Sequence, residues 1–362
     1  MTGNRLRVLI ADDSAFVRKY LKEILMQDAE LEVVGTARDG EEAIKLARTL
    51  RPDVVTMDVE MPKLDGLTAL QYIMNEYPVP VVVISSLTQK GALLTYEALA
   101  LGAVEVIAKP GGAGATDWRK LADEIRRKVR AAAKSNIKAA MRVIKKKEVK
   151  KGETGPAYRS FPSGLAVPFK KLVIIGVSTG GPKTLTEILP DLPADLPAPV
   201  VVVQHMPAGF TKGFAERLNG LCQMEVSEAQ GGEILVPGRM LVAPGHSHLK
   251  VERRLGRNEV RVKITDEPRE ALYKPSVEVA MESALKALGG QRLVGVLLTG
   301  MGDDGANAMV KIKGAGGITI AEAEETAVVW GMPREAIARG GASVVVPSYR
   351  IAREIIRAVN EG

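Results

Sequence analysis

The chain has 362 residues, enough for two domains of ordinary size, each with its own core. Apolar residues make up 46% and charged residues 26%, and no apolar run approaches the roughly 20 residues that span a bilayer, so insertion into a membrane is excluded. The formal net charge of +7 suggests a nucleic-acid partner, but residues 131–160 hold nine basic and two acidic side chains and account for the whole excess. The flanking regions are neutral together, and we predict no nucleic-acid partner.

The N-terminus leads directly into a predicted strand rather than into a signal peptide. The lone Cys222 cannot form an internal disulfide and has no second cysteine with which to bind a metal, so we interpret it as a packed core residue. We therefore predict a cytoplasmic protein, and we expect a monomer.

Short apolar runs alternate with amphipathic stretches between residues 6 and 110. This pattern predicts a parallel sheet that is buried on both faces and connected by right-handed crossovers. We predict five strands and five helices, the last helix capped by Thr116 or Asp117. The strand runs are R7-V-L-I-A11, V33-V-G-T-A37, D53-V-V-T-M57, V81-V-V-I84 and V104-E-V-I-A108.

A basic segment that ends in turn-forming residues separates this half from a second α/β half. The fold class is α/β, with two doubly wound, mostly parallel sheets, and an antiparallel hairpin around Gly256 belongs to the second, larger one. We predict a first domain over residues 1–128, a basic linker over 129–167 and a second domain over 168–362. The strand runs of the second domain are K171-L-V-I-I-G-V177, V200-V-V-V-Q204, R239-M-L-V-A243, R292-L-V-G-V-L-L-T299 and G317-I-T-I-A321.

Polar side chains follow four strands of the first domain, where a parallel sheet binds its ligands. Three clustered carboxylates repel one another unless a cation joins them, and an all-oxygen cluster suits Mg²⁺. A lysine and a hydroxyl opposite the carboxylates could hold the oxygens of a phosphoryl group. The residues are Asp12 and Asp13 after the first strand, Asp58 after the third, Ser85 and Ser86 after the fourth, and Lys109 after the fifth.

The stretch L172-V-I-I-G-V-S-T-G-G-P-K-T184 fits two different functions. Gly176, Ser178 and Gly180 match the nucleophile elbow G-x-S-x-G after a strand. Gly176 and Gly181 also have the spacing of a phosphate-binding loop, but Pro182 shifts Lys183 by one residue and removes an amide donor. A plain glycine-rich turn is the third interpretation.

A serine nucleophile needs a base and an acid, and candidates for both follow other strands. His205 follows the run that ends at Gln204, while His246 and His248 lie in a turn before the hairpin. Asp303 and Asp304 follow the run that ends at Thr299, within a glycine-rich turn around Met301 whose N–H groups could form an oxyanion hole.

Residues 5–128 resemble response-regulator receiver domains through four motifs. These are DDS at residues 12–14, MDVEMP at 57–62 with Asp65 and Gly66 after it, ISS at 84–86, and Lys109 with Pro110. Val106 stands where many receivers carry an aromatic switch residue, so we expect signal output through another surface. The resemblance implies Asp58 as phosphoryl acceptor, Asp12, Asp13, Asp58 and the backbone carbonyl of Glu60 as Mg²⁺ ligands, Ser85 as switch hydroxyl and Lys109 as phosphate partner.

The second domain resembles the catalytic domain of the chemotaxis protein-glutamate methylesterases, and with the receiver the resemblance covers nearly the whole chain. It rests on the runs GVSTGGP at residues 176–182, QHMP at 204–207, LTGMGDDGA at 298–306 and WGMPREA at 330–336. The resemblance implies Ser178 as nucleophile, His205 as base, Asp304 as orienting acid, Met301 N–H as oxyanion donor and Thr179 as a supporting residue.

The resemblance further implies a phosphorylation-activated hydrolase without a cofactor at its hydrolytic site. Its expected substrates are glutamate methyl esters and specific glutamines of chemoreceptor cytoplasmic domains, and its phosphodonor is a chemotaxis histidine kinase. Three alternatives remain open: a response regulator that binds nucleic acid through the basic linker, a nucleotide-binding domain that uses Gly176–Lys183, and an inactive scaffold of the same fold.

Overall fold

The computed structural model describes residues 5–86, 88–110, 115–137, 168–254 and 259–361. These residues form two compact units on either side of residues 138–167. Most of the predicted basic linker therefore lies outside the described residues. Within the described part of the chain, no helix is both long enough and apolar enough to cross a membrane.

The first unit is a five-stranded parallel sheet with the order β2-β1-β3-β4-β5. Strands β3, β4 and most of β1 and β5 are buried, as the continuous Val/Ile runs predicted, whereas the edge strand β2 is buried only at its two ends. The strands are β1 (Leu6–Ala11), β2 (Leu31–Ala37), β3 (Val54–Met57), β4 (Val81–Ser85) and β5 (Glu105–Ala108).

In the described part of the first unit, five helices connect or follow these strands, and side chains cap several of them. Ser14, Asp39 and Asp65 each accept a hydrogen bond from a backbone N–H in the first turn, which satisfies donors that the helix leaves unpaired. We predicted that Thr116 or Asp117 caps the fifth helix, and this was wrong by a small margin: the helix already begins at Ala115. The helices are α1 (Ala15–Met26), α2 (Gly40–Leu50), α3 (Gly66–Glu76), α4 (Gln89–Leu101) and α5 (Ala115–Ala133).

The second unit is built on a seven-stranded parallel sheet with the order β14-β13-β12-β6-β7-β9-β8. An antiparallel hairpin of β10 and β11 is separate from this sheet, so the predicted fold class is confirmed. The strands are β6 (Leu172–Val177), β7 (Val200–Gln204), β8 (Glu225–Glu228), β9 (Arg239–Val242), β10 (His248–Arg254), β11 (Glu259–Thr265), β12 (Leu293–Leu297), β13 (Ile318–Glu322) and β14 (Val344–Val346).

Helices pack on the sheet of the second unit. The helices are α6 (Gly181–Ile188), α7 (Thr211–Asn219), α8 (Val277–Leu288), α9 (Ala306–Gly314), α10 (Met332–Ala338) and α11 (Ser348–Asn360). Three of them, α8, α9 and α10, share one buried apolar cluster with the sheet and the hairpin. This cluster includes Leu172, Val203, Val277 and Leu297, all fully buried.

The strand order of the second sheet reverses its direction at β6. Strand β6 lies between β7 and β12, and the chain leaves β6 toward β7 and later returns on the other side to form β12. Ligand sites in open α/β sheets lie at such a reversal, outside the carboxyl ends of the strands. Ser178, His205 and Thr299 follow these three neighbouring strands.

Candidate functional sites

Three carboxylates meet at the carboxyl edge of the first sheet. One oxygen each from Asp12, Asp13 and Asp58 lies within 4.8 Å of the others. Asp12 and Asp58 are buried, whereas Asp13 is exposed. Hard cations such as Mg²⁺ prefer oxygen ligands and keep several waters, so two buried carboxylates beside an exposed one suit this ion.

Lys109 contacts two of these carboxylates. Its Nζ lies 2.8 Å from Asp12 Oδ2 and 2.5 Å from Asp58 Oδ2. Burial raises the pKa of Asp58, and the nearby ammonium of Lys109 lowers it by a smaller amount. The net result is a pKa of about 6. Burial likewise raises the pKa of Asp12. One lysine therefore does not neutralise the pocket, and a further cation would relieve the remaining repulsion.

Ser85 and Glu60 lie next to the same pocket. Ser85 is the buried last residue of β4. Its backbone carbonyl accepts a hydrogen bond from the backbone N–H of Lys109 at 2.7 Å. The N–H of Glu60 donates to the Asp58 carboxylate. The roles predicted for the Ser85 hydroxyl and the Glu60 carbonyl remain predictions. Val106 is buried in β5.

Ser178 lies on a tight turn between β6 and α6. Its N–H donates to Thr299 O at 2.9 Å, and its carbonyl accepts from Gly181 N–H at 2.8 Å and Gln204 Nε2 at 3.0 Å. Gly180 has φ +79°, in the left-handed region that favours glycine. These bonds hold the serine against both neighbouring strands, as a nucleophile elbow requires.

The geometry of this turn does not favour a phosphate-binding loop. Gly176 lies inside β6, where an added Cβ would come within 2.3 Å of Val277, so packing accounts for this glycine. The N–H and the hydroxyl of Thr184 both donate to Gly180 O, at 3.2 and 3.1 Å. Together with the Gly181 N–H, these groups are occupied within the chain, whereas a phosphate would need them free.

His205 bonds to Asp304 at the carboxyl ends of β7 and β12. Its Nε2 lies 2.8 Å from Asp304 Oδ2, and its backbone N–H donates to Val177 O at 3.0 Å, next to Ser178. The other ring nitrogen, Nδ1, is buried and has no hydrogen-bond partner among the described residues. Ser178 and His205 are therefore neighbours in the sheet, and Nδ1 is the nitrogen left to accept a proton.

Asp304 is surrounded by donors from the start of α8. Its carboxylate accepts from the Ser276 hydroxyl at 2.9 Å and from the N–H groups of Val277 and Glu278 at 2.7 and 3.0 Å. Burial alone would raise the pKa of Asp304, but His205 and these N–H groups outweigh it and lower the pKa. The carboxylate is thus held charged beside the histidine.

The remaining candidates among the histidines and the aspartate pair form no side-chain hydrogen bond with His205 or Asp304 among the described residues, although His248 is linked to Asp304 through Ser276. His248 is fully buried, accepts Ser276 N–H through Nδ1 at 3.2 Å and contacts Pro268 O through Nε2 at 3.1 Å, and burial lowers its pKa. His246 is exposed. Asp303 is exposed and pairs with Arg339 at 2.6 Å. His205 and Asp304 are the pair that the structure brings together.

The turn after β12 packs directly on the elbow. A Cβ added to Gly300 would lie 2.7 Å from Ser178 Cβ, so Met301 follows a residue in close contact with the serine. Thr179 is buried, and its carbonyl accepts the Thr299 hydroxyl at 2.9 Å. Thr179 is thus the buried neighbour of Ser178 in the elbow, Met301 follows the residue that packs on the serine, and the oxyanion and supporting roles of the two residues remain predictions.

Sequence reasoning missed the start of α8 as part of this site. Ser276 caps α8 by accepting Val279 N–H at 3.3 Å, and the same hydroxyl donates to Asp304. A serine just before an apolar helical run is a recognisable cap signal. That signal predicts the helix but not the distant carboxylate that this helix start binds.

An elbow serine, a histidine bonded to a buried carboxylate and a separate acidic pocket match the features that the sequence predicts for a hydrolase with a receiver-type domain. Residues 173–355 match the family model described as CheB methylesterase, and residues 8–116 match that of the response regulator receiver domain. The chain belongs to the CheB methylesterase family and carries a receiver domain.

The chain is similar to curated relatives over nearly its whole length. It is 56% identical to the Protein-glutamate methylesterase/protein-glutamine glutaminase 2 of Carboxydothermus hydrogenoformans, with 98% of this chain and 99% of the relative covered. It is 49% identical to the Protein-glutamate methylesterase/protein-glutamine glutaminase of Archaeoglobus fulgidus, with 97% of each covered. The solved CheB methylesterase catalytic domain of Thermotoga maritima is 41% identical, with a TM-score of 0.50, and the match covers 53% of this chain and 99% of that one.

Proposed function

We propose that this chain is a phosphorylation-activated serine hydrolase that acts in chemotactic adaptation. It removes the methyl groups from glutamate methyl esters of chemoreceptors and converts specific receptor glutamines to glutamates. The observation that carries this proposal is the 2.8 Å contact between His205 Nε2 and Asp304 Oδ2 beside the Ser178 elbow. The relatives are named as protein-glutamate methylesterases and protein-glutamine glutaminases, which supports both activities.

Acylation begins when Ser178 Oγ attacks the ester carbonyl carbon. Nδ1 of His205 takes the hydroxyl proton, while Asp304 holds the opposite side of the ring and stabilises the imidazolium. The Met301 N–H donates to the oxyanion of the tetrahedral intermediate, and Thr179 supports the turn. The bond to the methoxy oxygen then breaks, and this oxygen takes the proton from Nδ1 and leaves as methanol.

Water completes the reaction by the same steps. His205 takes a proton from the water that attacks the acyl carbon, the Ser178 ester bond breaks, and Ser178 Oγ recovers the proton. The receptor side chain is released as a glutamate carboxylate. A glutamine side chain follows the same route, with ammonia in place of methanol as the leaving group.

In the first unit, Asp58 accepts a phosphoryl group from a chemotaxis histidine kinase. Asp12, Asp13 and Asp58, with the backbone carbonyl of Glu60, would hold Mg²⁺, which supplies neutralising charge during phosphoryl transfer. Lys109 and the Ser85 hydroxyl contact the oxygens of the phosphoryl group. The hydrolase is faster when Asp58 is phosphorylated.

The proposal includes the arrangement of the chain and its setting. The receiver spans residues 1–128, the basic linker 129–167 and the catalytic domain 168–362. Two compact units on either side of residues 138–167 support the division into two domains, while α5 continues to Ala133 and so takes in the first residues of the proposed linker. The enzyme acts as a cytoplasmic monomer on the cytoplasmic part of receptors. Its hydrolytic site needs no cofactor, and neither nucleic acid nor membrane insertion takes part.

The test is methanol release from a methylated chemoreceptor cytoplasmic fragment by the full chain, with and without a small phosphodonor and Mg²⁺. We expect Ser178→Ala to abolish release, because it removes the attacking oxygen. We expect Asp58→Ala to lose the stimulation by phosphodonor, because it removes the acceptor.

Two results would contradict the proposal. If the wild-type chain releases no methanol from a receptor whose methylation has been verified, the substrate is wrong. If Ser178→Ala retains wild-type release, the nucleophile is wrong.

A further inference from the structure

The ring of Tyr273 lies on the imidazole of His205. The two ring centroids are 4.5 Å apart and the ring planes differ by 7°, which is a nearly parallel stack. Tyr273 is half-buried and lies between β11 and α8, outside the motifs that identify the catalytic residues. It therefore contacts the proposed base directly, from a segment that has no assigned role.

Hydrogen bonds fix this segment to the scaffold of the site. The Ser247 hydroxyl donates to Asp266 at 3.1 Å, and His248 Nε2 contacts Pro268 O at 3.1 Å. The other nitrogen of His248 accepts the N–H of Ser276, the residue that caps α8 and donates to Asp304. The segment with Tyr273 is thus tied to the helix start that binds Asp304.

The hydroxyl end of Tyr273 meets the turn that follows β12. A Cβ added to Gly302 would lie 2.6 Å from the Tyr273 hydroxyl oxygen, and Gly302 has φ +85°. Gly302 directly follows Met301, whose N–H is the proposed oxyanion donor. Tyr273 therefore touches the base with its ring and the oxyanion turn with its hydroxyl.

The stacking of Tyr273 on His205 bears on how the imidazole ring is oriented for proton transfer. The bond from Nε2 to Asp304 holds one edge of the His205 ring, but one hydrogen bond leaves the ring free to tilt about that contact. A parallel aromatic ring restricts this tilt, and its π face also favours the imidazolium that forms during proton transfer. Small misplacements of a catalytic group are costly because the reacting atoms must stay aligned.

We propose that Tyr273 is a positioning residue for the reaction, which fixes the plane of the His205 ring relative to the turn carrying Met301. This inference rests on the proposed function, because it assumes that His205 is the base for Ser178. The ring carries most of the effect, since the ring covers the imidazole face while the hydroxyl meets only the edge of the turn.

The test compares Tyr273→Leu and Tyr273→Met, which remove the aromatic ring, with Tyr273→Phe, which keeps it. Leu272→Ala is the matched control, because the neighbouring Leu272 is 76% exposed. Two quantities are measured on the full chain: kcat and KM for methanol release, and the rate at which a sulfonyl fluoride inactivates Ser178. The second reports the Ser178 and His205 pair without requiring receptor binding.

We expect kcat and the inactivation rate to fall about ten- to a hundredfold in Tyr273→Leu and Tyr273→Met, the range for a slightly misplaced catalytic group, with KM nearly unchanged. Tyr273→Phe should restore most of both rates, and Leu272→Ala should match wild type. Thermal unfolding of each variant separates loss of fold from loss of positioning, and the longer, unbranched side chain of Tyr273→Met adapts to the site if Tyr273→Leu does not fold.

The inference is overturned if the folded Leu or Met variant keeps wild-type kcat, if Phe loses as much as Leu and Met, or if only KM changes. A wild-type chain that releases no methanol, or one whose activity survives Ser178→Ala, would instead overturn the proposed function. The inactivation rates would then still show whether Tyr273 affects the reactivity of Ser178.

Discussion

Asp58 in the first unit and Asp304 in the second are both buried aspartates beyond the end of a parallel strand, yet their pKa values shift in opposite directions. Asp58 shares Lys109 with Asp12, and burial raises its pKa to about 6. Asp304 is also buried, but His205 and the first N–H groups of α8 lower its pKa. Position in the fold does not decide the charge of a strand-end carboxylate; the number of donors around it does.

The opposite pKa shifts of Asp58 and Asp304 fit the different roles proposed for them, phosphoryl transfer and hydrolysis. The first pocket is short of positive charge and suits a cation from solution, whereas the second supplies every donor that its carboxylate needs from the chain itself. We therefore expect mutations at the two aspartates to have effects of different kind and sign.

The largest expected effect is on catalysis at Asp304. Asp304→Asn keeps the shape of the side chain but removes the charge that orients and stabilises His205, and we expect kcat for methanol release to fall by about 10³–10⁴-fold, as for orienting aspartates in other triads. Asp303→Asn is the matched control, because Asp303 makes only an exposed ion pair with Arg339, and we expect a change within about twofold. An equal loss of kcat in Asp304→Asn and Asp303→Asn would contradict the proposal that Asp304 is the orienting acid.

The second prediction concerns stability at neutral pH without Mg²⁺. Because the folded pKa of Asp58 is raised from 3.8 to about 6, the stability that its protonated form contributes is lost as pH rises through this range. At pH 7 we therefore expect Asp58→Asn to stabilise the first unit by about 1–3 kcal/mol, and this gain should shrink as pH falls from 6 toward 4.

Asp304→Asn should show the opposite sign. The lowered pKa of Asp304 contributes stability above its unfolded value of 3.8, and this contribution is lost as pH falls through the folded pKa. We expect the substitution to destabilise the second unit at pH 7. Hydrogen exchange of strand amides reports the two units separately, and the same sign at both positions would break the contrast between the pockets.

The third prediction is that Mg²⁺ stabilises only the first unit. A ligand that binds the folded state at ten- to a hundredfold its Kd adds about 1–3 kcal/mol. We expect this gain in the strand amides of β1 and β3, and we expect Asp13→Asn to reduce it by weakening the carboxylate cluster. The exposed Glu23 in α1 gives a control, Glu23→Gln, that should keep the full gain. A similar gain in β6 and β7 would show that the effect is not local.

The smallest expected effect is at Ser276, whose hydroxyl is one of the donors to Asp304 and also caps α8. We expect Ser276→Ala to lower stability by about 1 kcal/mol, the usual cost of a lost cap. Methanol release should fall severalfold, because Asp304 loses one donor but keeps His205 and two N–H groups. Ser276→Thr keeps the hydroxyl and should restore both quantities. Failure of threonine to restore activity in a stable protein would argue against the donor role.

The sequence was sufficient to predict most strands, because long apolar runs such as β6 and β7 are buried on both faces. It was not sufficient for β8 and β14 at the edges of the second sheet. Strand β8 has four residues, EVSE, and lacks an apolar run, whereas β14 is a run of only three valines, shorter than the runs that predicted the other strands, and both strands are partly exposed.

The candidate site was predictable where its residues lie in compact motifs at strand ends, as Ser178 and Asp304 do. Tyr273 and Ser276 were not predictable in the same way, because their contacts arise only when α8 and the preceding segment pack against distant strand ends. A helix cap can be recognised locally, whereas the group that the cap also binds is set by tertiary structure.

The strand order of the second unit has a consequence for the time at which activity can appear during synthesis. The bond between His205 and Asp304 closes 99 residues of chain, whereas the contact between Lys109 and Asp58 closes 51. Contacts between distant residues form late, because the intervening chain must first be ordered. A ribosome that has released Ser178 and His205 but not the segment after β12 therefore carries a nascent chain in which the bond between His205 and Asp304 cannot yet form, and translation must pass Asp304 before the proposed hydrolytic site is complete.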